Sequence, residues 1–120
     1  MATTIDIEPL LIWAFRDQAV ETSVYAAEDA VTVYWAVLAL PAMHCDLVRA
    51  CARRGEAPPW HAAPGPVTVL DEVRQARLRY RQWVRALAVL QRALDGTLRD
   101  FRIVGPAAPE QPWRAQRLTA

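Results

Sequence analysis

The sequence is poor in thiols, imidazoles and serines, the commonest nucleophiles and zinc ligands: Cys45, Cys51, His44, His61 and the single serine, Ser23. Zinc takes ligands presented as C-x-x-C or H-x3–5-H pairs, and neither spacing occurs. His44 and Cys45 are neighbours, and neighbours on a helix point ~100° apart. His44 and Cys51 share a helical face but leave a tetrahedral set half filled. The two thiols therefore read as buried structural residues of a reduced protein, and Ser23 as a helix N-cap. The acid pairs Glu28-Asp29 and Asp71-Glu72 both fall near helix starts, where dipole compensation accounts for them. The four glycines all sit at element boundaries, so neither a P-loop nor a G-x-G-x-x-G turn can be built. We assign no catalytic, cofactor-binding or metal-binding residue, and the expectation is a protein that is not an enzyme.

What remains is arginine. Residues 73–87 read VRQARLRYRQWVRAL, with five arginines, and no acid occurs between Glu72 and Asp95. At ~100° per residue, Arg74, Arg77, Arg81, Arg85 and Arg92 fall within an arc of about 80°, along about 27 Å of helix. Arg79 stands apart. Val73, Ala76, Tyr80, Trp83, Leu87, Leu90 and Leu94 alternate in steps of three and four on the other side. That is an a/d seam held for about three heptads. It is an oligomer seam or a core seam, because another helix of the same chain can bury it. A solvated helix face opposite a core seam would carry arginines in any case. Such a face usually interleaves acids at i,i+4, and this one has none. Aligned guanidinium groups repel unless an anion lies across them. Three anions qualify: nucleic acid, whose phosphate backbone a line of Arg can follow; the acidic half of the chain itself; or an acidic partner protein.

Two tryptophans stand among prolines, where they either plug the fold or dock a partner: Trp60 in GEAPPWHAAPGP and Trp113 in PWRAQRL.

These residues need elements to hold them. Apolar spacing predicts a first helix over 7–21, with Pro9 in its first turn. A second spans 23–40, capped by Ser23 and apolar nearly all round from Ala30, as a central buried helix would be. Pro41 ends it. A third helix, 42–54, turns Met43, Leu47, Val48 and Cys51 inward and finishes on Arg53-Arg54-Gly55. A Pro-rich loop over 55–66 precedes the long helix, 68–95, which Gly96 stops. Leu98, Phe101, Ile103 and Val104 form one short extended or helical segment. Residues 105–120 read as a flexible Pro-rich tail. The fold expected is all-α: a compact helical bundle of about four helices as a single domain over 1–104, with one long C-terminal helix.

At 120 residues the chain is large enough to bury a core. The opening, MATTIDIEPL, has no basic or apolar leader region, and the longest uncharged run, 30–45, contains Pro41. A cytoplasmic protein with no membrane partner is expected. Lysine and asparagine are absent while alanine and arginine abound, the coding habit of a GC-rich bacterial or phage genome. Arginine count is therefore a weak argument for nucleic acid. Charge distribution says more: residues 1–48 carry seven acids and one Arg (−6), and residues 49–120 carry thirteen Arg and six acids (+7). Such asymmetry marks an interaction surface or attraction between the halves. The function expected is a non-catalytic protein-interaction module, self-associating, from an accessory or prophage-type gene. The alternative is a small nucleic-acid-binding packaging or regulatory factor using the Arg stripe. No helix-turn-helix junction supports sequence-specific DNA recognition.

Overall fold

A computed structural model describes residues 2–61 and 70–114. The chain is mostly helical, in the order β1 (Thr3–Asp6), α1 (Ile7–Ile12) continuing as a π-helical stretch (Trp13–Asp17), α2 (Glu28–Leu38), α3 (Ala42–Arg54), α4 (Leu70–Leu94) and β2 (Phe101–Val104). Residues 62–66 of the Pro-rich loop, the expected start of the long helix at Thr68, and residues 115–120 lie outside the described residues.

The expectation of an all-α chain needs one correction. β1 and β2 pair in parallel, Ile5 opposite Ile103. TTID and FRIV are rich in β-branched residues, but a parallel pair needs a long crossover, and here α1, α2, α3 and α4 all lie between the two strands. No local pattern announces such a pairing. Ile103 is buried, and the Phe101 ring meets Trp13 edge-on at 4.8 Å.

Asp6 ends β1 and caps α1, its carboxylate accepting the Glu8 N–H at 3.0 Å. Pro9 sits in the first turn, where its missing N–H costs nothing. The π-helical stretch closes with Gln18 N–H donating to the Trp13 carbonyl at 2.8 Å. The helical run therefore ends short of Glu21. α2 starts at Glu28 rather than beside Ser23. The Ser23 hydroxyl instead accepts from the Tyr25 N–H, a local turn that competes with capping. α3 has the expected bounds. Gly55, at φ +75°, donates to the Cys51 and Ala52 carbonyls and terminates it.

The core gathers Ile7, Leu10 and Phe15 from the first helical run, Val33 and Val37 from α2, Val48 and Cys51 from α3, and Leu87 and Leu90 from α4. α2 buries one face only. Val31, Trp35 and Leu38 lie on its outer side, and Trp35 is 66% exposed. The expectation of a fully buried central helix therefore holds for half its circumference. One buried acid organises this corner: Asp29, 3% exposed, accepts the backbone N–H groups of Arg99 and Asp100 at 2.9 and 2.8 Å. It fastens the start of β2 to α2.

Candidate functional site

α4 presents the arginines as the spacing predicts. Tyr80, Trp83, Leu87, Leu90 and Leu94 are buried and Val73 is half-buried. The seam is thus core, closed by α1, α2 and α3 within one chain. On the outer face Arg74, Arg85 and Arg92 are exposed, while Arg77 and Arg81 are half-buried.

Something covers the middle of that face. From Gly105 the chain turns back along α4 as a strap, residues 105–114. The Ala107 N–H donates to Asp6 at 2.8 Å. Gly105 has φ +91°, and a Cβ there would overlap the Asp6 carboxylate, so only glycine makes this turn without strain. Farther on, one Glu110 oxygen accepts from both Arg81 (3.3 Å) and Arg85 (2.8 Å). The Arg85 hydrogen bond, followed by that from Arg81, holds the Glu110 carboxyl below its ordinary value of 4.5. Trp113 then settles beside Tyr80 (6.1 Å, edge-on) and Trp60 (5.9 Å), with the Arg77 guanidinium 5.1 Å from its ring centroid. Residues 105–114, read from sequence as part of a flexible tail, are placed by these three anchors. The two tryptophans, read from the sequence as either plugging the fold or docking a partner, meet each other at this site.

The anion across Arg81 and Arg85 is therefore Glu110, from the basic half of the chain rather than the acidic half. Sequence reasoning missed it. The available signal was thin: Glu110 is the sole acid after Asp100, three residues before a tryptophan. No acidic side chain among the described residues pairs with Arg74 or Arg92. The Arg77 Nε is shut off from solvent and has no hydrogen-bond partner among the described residues.

No family model, curated protein or solved structure matches the chain.

The charge halves do meet within the chain. Glu21 holds Arg49 (2.9 Å) and Arg53 (3.5 Å), and Glu28 holds Arg99 (2.9 Å). The Glu21 hydrogen bond raises the Arg49 pKa, keeping it firmly cationic.

Two further places hold polar groups. A small cavity of about 10 Å³ is lined by Glu8, Leu11, Val48, Cys51 and Trp83. Burial, then the nearby Asp6 charge, pushes the Glu8 carboxyl up. Burial likewise raises the Cys51 thiol against the opposing pull of Arg54, which makes it a poor nucleophile at neutral pH. Between α3 and α4 an open cleft of about 400 Å³ is lined by Met43, Leu47, Leu78 and Arg79. Among the described residues no cluster of three His, Cys, Asp or Glu can hold a metal, and no helix is long and apolar enough to cross a membrane.

Proposed function

We propose that this protein is a non-catalytic interaction module that self-associates, a compact helical bundle working in the bacterial cytoplasm as an accessory or prophage-type gene product. The GC-rich coding style supports the last point. The observation that carries the reading is the outer face of α2. Val31, Trp35 and Leu38 follow i, i+4, i+7 spacing, and all three are exposed. An apolar helical stripe left in water is a protein-contact surface, and a solvent-facing tryptophan is a natural anchor for one. A second copy offers the same stripe, so a two-fold pairing matches like with like. The α4 seam cannot serve, since the monomer's own core uses it. Light scattering tests this. The wild-type mass should rise toward a dimer with concentration, and Trp35→Glu should hold it at the monomer without loss of helicity. A wild-type monomer at every concentration would remove the proposal.

A second reading, nucleic-acid binding along α4, is favoured by Arg74 and Arg92, which meet no acidic side chain among the described residues. Against it stands Glu110, which already occupies Arg81 and Arg85. Duplex DNA titrated at two salt concentrations tests it. Phosphate contacts predict a steep loss of affinity with salt, and further loss on charge reversal at Arg81 and Arg85.

A further inference from the structure

The strap is fastened in an uneven way. Ala107 gives the body of the protein a backbone hydrogen bond through Asp6. Beyond it, from Ala108 to Arg114, the strap backbone makes none to the rest of the described chain; the Arg114 N–H turns back to Gln111. Besides Ala108, which packs on the core, two side chains hold this stretch: Glu110 between Arg81 and Arg85, and Trp113 among Trp60, Arg77 and Tyr80. Recognition by two spaced side chains on a Pro-stiffened backbone is how a linear motif binds a groove. Pro106, Pro109 and Pro112 supply the stiffness, so little order is lost on docking.

The polar half of this contact is weakly held. Glu110 and Arg85 side chains are 43% and 63% exposed, and ion pairs in that much water add little. The site also has an unused donor. The Arg77 Nε, buried beside Trp113, lacks an acceptor among the described residues. Glu110 is the strap's sole acid and is committed elsewhere.

We propose that this face of α4 is a docking site for a segment of another protein. The segment carries an acid three residues before a tryptophan, in proline-containing sequence, with one further carboxylate near the tryptophan to meet Arg77. The chain's own 105–114 is the resident occupant that such a segment displaces. A second copy's strap is the poorer candidate. It brings the same groups, leaves Arg77 unanswered, and competes with an identical tethered strap at an effective concentration of about millimolar. The proposal rests on the interaction-module reading but uses a different face from α2.

The test uses the full chain with Glu110→Gln and Trp113→Ala, which empties the site, and labelled peptides read by fluorescence anisotropy. One peptide has the sequence of residues 105–114. Two others add an acid by Gln111→Glu or Arg114→Glu. The emptied chain should bind at least one acid-added peptide about tenfold more tightly than the native one, a charged hydrogen bond being the difference. Wild-type chain should bind the same peptide at least about tenfold more weakly, because its own strap competes. Arg81→Glu with Arg85→Glu should weaken binding severalfold, since the reversed charges repel the peptide's Glu while the tryptophan contact remains. Should the emptied chain fold poorly, Glu110→Gln alone changes a half-exposed side chain and serves as host, with intermediate affinity expected.

Failure of every peptide to bind would overturn the proposal, as would equal binding of a peptide lacking both Glu and Trp. Equal affinity for the native and acid-added peptides would overturn the assignment to another protein in favour of a neighbouring copy. Duplex DNA binding the emptied chain more tightly than the peptides would replace it with the nucleic-acid reading. Trp35→Glu should leave peptide binding unchanged, so failure at this site and failure of self-association through α2 can be told apart.

Discussion

Two acids, Glu110 and Asp29, fasten the chain to itself, a third, Glu8, is buried at a cost, and each makes its own prediction. The Glu110 carboxyl is lowered from 4.5 by Arg85 and Arg81. A group whose folded value is depressed stabilises the contact above its unfolded value, and loses it as pH falls through the folded one. The strap should therefore loosen as pH falls below 4.5, seen as a small shift in tryptophan emission that Glu110→Gln abolishes. Glu8 carries the opposite sign: its folded value is raised from 4.5 by burial and Asp6. Its penalty grows as pH rises past 4.5, so Glu8→Gln should stabilise the protein at pH 7 more than at pH 4 in urea melts. Asp29 binds two backbone N–H groups from a site 3% exposed. Asp29→Ala leaves both without an acceptor, and about 2–4 kcal/mol of unfolding free energy should be lost. In the sequence, Asp29 and Glu28 look alike, two acids at a helix start. Only the fold separates them, one gripping β2 from inside and the other pairing with Arg99 on the surface. Glu110 was equally illegible, because its partners lie 25 and 29 residues away.

At the scale of elements, the helices were legible where the periodicity was local. Gly55 and the arginines before it place the end of α3, and the three-four spacing of α4 identifies the buried side of that helix. The start of α2 was not legible, because Ser23 has the chemistry of an N-cap but spends its hydroxyl on Tyr25. The sheet was not legible either, since its strands sit at opposite ends of the described chain. α4 also shows why an a/d pattern alone does not name an interface: the same spacing serves a core. Leu87→Ala and Trp83→Ala should each lower stability by about 2–5 kcal/mol, with a melting temperature that drops by the same amount at low and high protein concentration. A seam acting between chains would instead make the loss concentration-dependent.

For the whole molecule, the opposed charges of the two halves mean less for association than the sequence suggests. Glu21 and Glu28 already bind arginines of the basic half within the chain, and Glu110 offsets part of the charge in the middle of α4. Among the apolar side chains the folded molecule leaves exposed, Val31, Trp35 and Leu38 form a stripe along one helix, α2. An apolar contact resists salt, whereas one built on arginines weakens once screening shortens to about 3 Å at 1 M. Sedimentation equilibrium over a wide concentration range, at 0.1 M and 1 M salt, puts this directly. We predict a monomer–dimer equilibrium of similar strength at both salts, abolished by Trp35→Glu. A monomer throughout, or a dimer that 1 M salt dissolves, would contradict it.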